Sequence, residues 1–203
     1  MGMTFTGQVA VVTGGGAGIG RATALAFAGE GLKVVVADRD VAAGEDTVEQ
    51  IRAAGGSAVF AGCDVTVEAQ VRQLMEQTIS TYGRLDYAFN NAGIEIEHGR
   101  LADGTLDEFD AIMGVNVKGV WLCMKYEIRQ FLAQGGGGSI VNVGSVSSFR
   151  PQPANSAYVA AKHGVIGLTK TGSLEYAGQG IRVNAVLPGA INTPMFRGAL
   201  EAY

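Results

Sequence analysis

Short runs of β-branched and other apolar residues alternate along this chain with longer stretches in which apolar positions recur every three or four residues. From Gln8 onward the short runs read as six strands, at residues 9–13, 33–37, 58–62, 85–90, 139–143 and 182–187. The intervening stretches read as helices over residues 19–30, 41–54, 68–82, 105–134 and 154–177, with Gly, Asp or Thr where caps are expected. Strictly alternating strands and helices imply right-handed crossovers and a parallel sheet with helices on both faces. The expected fold is therefore α/β, a doubly wound parallel sheet of Rossmann type with strand order 3-2-1-4-5-6, in one domain spanning residues 1–203.

Composition narrows the possibilities. The chain has 203 residues, enough to bury a core without disulfide or metal staples, and its 31 glycines are scattered as tight turns would scatter them. A net charge of -4, with no run of Lys or Arg, offers no footprint for nucleic acid or an anionic membrane. No apolar run reaches the length of a membrane span, and Met1 to Gln8 lacks the pattern of a signal peptide, so the expected location is the cytoplasm. Cys63 and Cys123 sit in apolar surroundings without metal-ligand spacing and are expected to be free buried thiols. With His98 and His163 they form no ligand cluster, so no metal is expected.

Candidate chemistry lies where strands give way to helices. Gly14, Gly16, Gly18, Ile19 and Gly20 follow a Val-rich strand and open a helix, a place where backbone amides can approach a pyrophosphate; a plain tight turn is the alternative. Asp38 ends the second strand, where a carboxylate can accept hydrogen bonds from ribose hydroxyls and repel a 2′-phosphate, favouring NAD over NADP. The neighbouring Arg39 is either a phosphate-attracting guanidinium or a solvated or adenine-stacking side chain. Asp64, followed by Val65, either reaches the adenine amino group or caps the helix that follows Thr66. Asn90, Asn91, Ala92 and Gly93 close the fourth strand, where the amides can tie neighbouring loops together or line a cleft.

Asn116 falls inside the long helical stretch, where an amide competes with helix geometry; a kink freeing it toward the cleft is the alternative to a surface position. That stretch also carries more apolar surface than one core-facing stripe needs, which a second subunit can cover. Ser145 stands at the end of the fifth strand. Tyr158 and Lys162 are four apart, on one helical face with Cβ atoms about 5 to 6 Å apart, so the ammonium can favour the phenolate. The spacing suggests a tyrosine tuned to give up its proton.

Together the motifs Thr13-Gly14-x-x-x-Gly18-Ile19-Gly20, Asn90-Asn91-Ala92-Gly93, Asn116, Ser145, Tyr158-x-x-x-Lys162 and Pro188-Gly189 with Thr193 resemble the short-chain dehydrogenase/reductase family. They stand in that family's order and cover nearly the whole chain. The resemblance implies NAD(P)-dependent oxidation of an alcohol or reduction of a carbonyl, and a homotetramer or homodimer. It implies that Tyr158 is the general acid/base, that Lys162 binds the nicotinamide ribose and lowers the tyrosine's pKa, and that Ser145 holds the reacting oxygen. Asn116 is implied to hold a water in a proton relay, Asp38 to mark an NAD-preferring member, Asp64 to hold adenine, Asn90 to line the adenosine side, and Ile191 and Thr193 to fix the carboxamide. Ile94, Glu95, Ile96, Glu97, Val146, Pro151 and Pro153 are candidates for a mixed apolar pocket taking a secondary alcohol or ketone.

One departure stands out. The family continues past a mobile substrate loop to another helix and a seventh strand, whereas this chain ends at Tyr203, with 194–203 expected to begin that loop. A catalytically silent dinucleotide-binding module or oligomer subunit is accordingly the alternative reading.

Overall fold

The computed structural model describes residue 5, residues 7–97 and residues 99–201. Six strands, β1 (Val9–Thr13), β2 (Lys33–Asp38), β3 (Ser57–Gly62), β4 (Tyr87–Asn90), β5 (Gly138–Val143) and β6 (Ile181–Val186), form one sheet in the order β3-β2-β1-β4-β5-β6. Every pairing is parallel; Val11 of β1 lies opposite Val35 of β2 on one side and Ala88 of β4 on the other. This is the doubly wound sheet the alternating pattern predicts. Strand order reverses between β1 and β4, so the turns after these strands part and leave a crevice at their carboxyl ends.

Helices α1 (Gly18–Gly29), α2 (Val41–Ala53), α3 (Glu68–Tyr82), α4 (Leu106–Met113), α5 (Val120–Gln134), α6 (Ser156–Tyr176) and α7 (Pro194–Glu201) complete the described chain. Successive strand residues point to opposite faces, and the core divides accordingly. Val11, Val35 and Ile140 pack with Leu74 of α3, Ile128 and Phe131 of α5, and Val165 of α6. Ala10, Val12, Val34 and Val36 pack with Ala24 and Ala28 of α1 and Val48 and Ile51 of α2. Because both faces are covered, β1 is buried along its whole length.

Three differences from the sequence reading bear on the site, while other element ends shift by one or two residues. Strand β4 starts at Tyr87 rather than at residue 85, because the Leu85 N–H donates to the Gln134 side chain and so leaves the ladder. The helix expected over residues 105–134 is interrupted: the capping box of Thr105 and Glu108 opens α4, but Gly114–Gly119 forms a wider π-helical segment before α5 begins. The stretch from 194 onward, expected as the start of a loop, forms α7 through residue 201 instead. Thr193 and Pro194 explain it: the Thr193 hydroxyl accepts the Phe196 N–H at 3.2 Å, and a proline at the first helical position loses no backbone bond.

Candidate active site

A cavity of about 470 Å³ opens along the carboxyl ends of the strands. At one end lie Asp38, Arg39, Asp64 and Val65; the turn of Gly14, Gly18 and Ile19 forms its floor; and Ser145, Tyr158 and Lys162 meet at the other end. Asn91, Ala92 and Gly93 line the middle, with Pro188, Gly189, Ile191 and Thr193 on the opposite wall.

The turn after β1 is held open by its own chemistry. Gly14 and Gly18 have φ of 62° and 52°, a region side chains disfavour. Asn91 ties the turn to β4: its side-chain amide donates to the carbonyls of Thr13 and Gly14 at 3.1 and 3.0 Å, while its N–H donates to the Thr13 hydroxyl. The N-cap Ala17 provides no side-chain acceptor, so the positive end of α1 faces the cavity at Ala17, Gly18 and Ile19. That amino terminus, the long cleft and the Asp38 carboxylate suit the diphosphate and ribose of a dinucleotide.

Gly16 and Gly20 do not line the cavity. Gly16 donates its N–H to the Asp38 carboxylate at 2.8 Å, and a Cβ there would meet that oxygen and the methyl of Ala43; Gly20 packs against the Gly14 carbonyl. Both are packing glycines that bring the turn against β2 and α1. Asp38 also accepts the Asp40 N–H at 2.9 Å, which fixes its carboxylate at the cleft edge. Asp64 lines the cleft but does not cap α3, whose N-cap is Val67; the N–H and hydroxyl of Thr66 in the preceding turn donate to it instead, and these bonds, helped by Arg39 and Lys118, hold its carboxyl below the usual range.

Asn90 is a correction. Its side chain turns away from the cleft into the layer beneath α5, donating to Glu127 and Asn142 at 3.0 Å each. The period-two alternation of a strand puts Asn90 and the cleft-lining Asn91 on opposite sides. Asn116 is neither on the surface nor free in the cleft. Fully buried in the π-helical segment, it accepts the Ile94 N–H and donates to the Ile94 carbonyl, both at 2.8 Å. Its amide thus acts as a substitute strand that pins the loop after β4. Only Gly93 separates it from the lysine: a Cβ on Gly93 would lie 3.2 Å from Asn116 Oδ1 and 3.6 Å from Lys162 Nζ.

Ser145 follows β5, and its hydroxyl accepts the Ser147 N–H at 3.1 Å, closing a short 3₁₀ turn. Ser148 donates to the Lys162 carbonyl at 2.9 Å, which fastens this turn to α6. Lys162 donates to the Val143 carbonyl at 2.8 Å and lies 5.5 Å from the centroid of the Tyr158 ring. The three chemistry-bearing side chains therefore converge, Ser145 from the turn after β5 and Tyr158 and Lys162 from successive turns of α6.

Their protonation differs from the sequence expectation. Burial raises the Tyr158 phenol above its ordinary value, the Ser145 hydroxyl pulls it down, and the Glu95 charge pushes it further up. Burial also drives the Lys162 ammonium down to about 8, against the opposing pull of Glu95. The chain by itself does not tune the tyrosine to lose its proton, because desolvation outweighs the pull of the Ser145 hydroxyl.

Among the substrate-pocket candidates, Ile94, Glu95 and Val146 line the cavity, and Gln152, Asn155, Met195 and Phe196 join them. Ile96, Glu97, Pro151 and Pro153 do not; Glu97 is 3% exposed and turned into the first turn of α6. Met195 and Phe196 were hidden because their segment reads as loop. The periodicity of a loop-borne Asn carries no signal for Asn155. Cys63 also lines the cleft, but burial pushes its thiol up to about 12, which leaves it unreactive. Cys123 is likewise a buried free thiol. His163 is exposed and bonded to the Val159 carbonyl, and His98 lies outside the described residues. No helix among the described residues is long and apolar enough to cross a membrane.

Fold and site together define a dinucleotide-cleft α/β protein with a Ser, Tyr and Lys at the mouth of the cleft. Residues 8–203 match the family model for short chain dehydrogenases, and the chain belongs to that family of oxidoreductases, which use nicotinamide dinucleotide cofactors. It is 44% identical over 197 residues to a 2,5-dichloro-2,5-cyclohexadiene-1,4-diol dehydrogenase of Sphingobium indicum, covering 97% of this chain and 78% of that one. It is 41% identical over 198 residues to a cyclohexanol dehydrogenase of an Acinetobacter species, covering 98% and 78%. The crystal structure of levodione reductase matches with a TM-score of 0.94 at 39% identity, over 98% of this chain and 77% of that one.

Proposed function

We propose that the protein oxidises a secondary, cyclic alcohol, or reduces the matching ketone, with NAD as the preferred cofactor. The observation that carries this reading is the meeting of Ser145, Tyr158 and Lys162 at one end of a cleft whose other end presents the Asp38 carboxylate. A bound nicotinamide dinucleotide supplies a hydride acceptor and, when oxidised, a positive charge beside the phenol. Gly14, Gly18 and Ile19 would hold its diphosphate, Asp38 and Asp64 its adenosine, and Ile191 and Thr193 its carboxamide. Lys162 would hold the nicotinamide ribose.

In oxidation Tyr158, as phenolate, takes the hydroxyl proton while Ser145 donates to the oxygen that is becoming a carbonyl. Lys162 keeps positive charge near the phenol. Asn116, behind Gly93, would hold a water through which that proton leaves by way of Lys162. The pocket walls of Ile94, Val146, Met195 and Phe196 suit a hydrocarbon ring, and Glu95 disfavours anionic substrates. The relatives named for cyclohexanol and a cyclohexadiene diol point the same way.

Purified protein mixed with NAD and cyclohexanol at mildly alkaline pH is expected to generate NADH, followed by its absorbance. NAD binding without turnover across a panel of cyclic secondary alcohols would leave a catalytically silent binding module. Asp38→Ala is expected to relax cofactor choice, raising kcat/KM with NADP relative to NAD by about tenfold or more, since the variant removes a charge that repels the 2′-phosphate. An unchanged ratio would locate the selection elsewhere. A homotetramer or homodimer belongs to the same proposal: Phe109 and Trp121, on the helices around the π-helical segment, and Leu174 on α6 are exposed large apolar side chains that a second copy could cover.

A further inference from the structure

Helix α6 carries both Tyr158 and Lys162, yet it begins without help from its own N-cap, because the Asn155 side chain makes no capping bond. That amide instead donates to Glu95 at 2.5 Å. The first turn is held from far away in sequence. One Glu97 oxygen accepts the Ala157 N–H at 2.7 Å and the Tyr158 N–H at 3.3 Å, and the other accepts the Ser156 hydroxyl at 2.5 Å. The preceding Ala154 adopts φ of 57°, so the approach to the helix is not a conformation the chain prefers by itself.

A carboxylate buried at this position is stabilised by three donors and by the positive end of a 21-residue helix. Removing it would leave two amide N–H groups unsatisfied in a buried turn. One of these belongs to Tyr158 itself, so a shift in the first turn moves the phenol directly. The same loop is pinned at its other end by Asn116 on Ile94, only three residues before Glu97. The loop after β4 is thus a strut fixed between the π-helical segment and α6.

We infer that Glu97 is a positioning residue for the reaction: its carboxylate sets the start of α6 and thereby the place of the Tyr158 hydroxyl relative to Ser145. This rests on the function proposed above, in which Tyr158 acts on the alcohol. Glu97 touches neither the cavity nor the reacting atoms, and its effect passes through the helix backbone.

The test compares wild type with Glu97→Ala and Glu97→Gln, the latter keeping the shape and one accepting oxygen. The first readout needs no substrate: the phenol of Tyr158 is titrated by ultraviolet difference spectroscopy against Tyr158→Phe in each background. Burial raises this phenol in the wild type. Loosening the first turn should let it fall back toward the ordinary tyrosine value in Glu97→Ala, with Glu97→Gln in between. Amide exchange at residues 157 and 158 should quicken in the same order. The second readout is turnover of cyclohexanol with NAD, where kcat should drop about ten- to a hundredfold in Glu97→Ala and less in Glu97→Gln, while KM for NAD stays within about twofold. Should Glu97→Ala fail to fold, Glu97→Gln alone carries both readouts. Unchanged titration and exchange overturn the inference whatever the activity. So does a moved titration with an undiminished kcat in an active protein. A wild type inactive on cyclic alcohols counts against the proposed reaction only, since the titration still decides whether Glu97 places the phenol.

Discussion

Tyr158→Phe is expected to reduce kcat for NAD-linked alcohol oxidation by about 10² to 10⁴ or more, while the dissociation constant for NADH changes by less than about threefold. The substitution removes only the hydroxyl. Tyr158 is 9% exposed, and its ring packs with Ile112, Ala157 and Ala161, contacts a phenyl ring keeps, so no cavity opens and the fold should be as stable as before. The cofactor contacts proposed for Gly14, Gly18, Asp38 and Thr193 lie along the rest of the cleft and are untouched. Loss of rate without loss of binding is therefore the signature of a proton-transfer group, measurable by steady-state kinetics beside NADH fluorescence titration. Retained turnover would remove Tyr158 from its role and leave Ser145 and Lys162 without a partner chemistry.

The pH dependence follows from the same burial. Without added positive charge the phenol lies above its ordinary value and the Lys162 ammonium is down at about 8, so at neutral pH the chain favours a protonated tyrosine. That state suits carbonyl reduction, where Tyr158 donates. Oxidation needs the phenolate, and its rate should climb with pH until the tyrosine has titrated. Glu95 works against ionisation of the phenol and for protonation of the lysine. A single carboxylate at the pocket edge thus favours the protonated form of both groups, and on the tyrosine that is the form carbonyl reduction needs.

The features legible in the sequence are those whose meaning is local. The glycine turn after β1, the carboxylate ending β2 and the four-residue step from Tyr158 to Lys162 each need only spacing and a neighbouring strand or helix to be read. Strand order follows because parallel crossovers are handed. What stayed hidden depends on partners distant in sequence. Glu97 reads as a candidate for the substrate pocket, since nothing near it reveals that α6 lacks its own cap. Asn116 shows only as an awkward amide within a helical pattern; that the backbone widens into a π-helical segment and hands its side chain to Ile94 follows from packing. Asn90 and Asn91 look alike in sequence, yet the pleat sends one to the cleft and the other to the core.

That core partner, Glu127, makes the second large prediction: the protein should lose stability as pH rises from about 5 to about 8, and Glu127→Gln should abolish most of the loss. Glu127 is fully buried on α5, one oxygen accepting from Asn90 while the other, like Asn90 Oδ1, finds no partner among the described residues. Asn142 extends the cluster, donating to Thr169 at 3.0 Å. Among the described residues nothing cationic compensates a charge here, and burial pushes the carboxyl from its ordinary 4.5 up to about 8, the Asn90 bond only partly opposing it. In the unfolded chain Glu127 ionises near 4.5, whereas in the folded protein it keeps its proton to about 8. Between those values the folded state binds more protons, so stability falls as pH rises and levels off above the folded value. At about 1.4 kcal/mol per pH unit the span amounts to roughly 4 kcal/mol, about 8 to 16 °C in Tm for a chain of this size. Glutamine keeps the shape and carries no charge to bury, so the Tm of Glu127→Gln should stay nearly level and exceed wild type at pH 8. Parallel Tm curves for the two proteins between pH 5 and 8 would mean that Glu127 is ionised in the fold and that its charge is compensated.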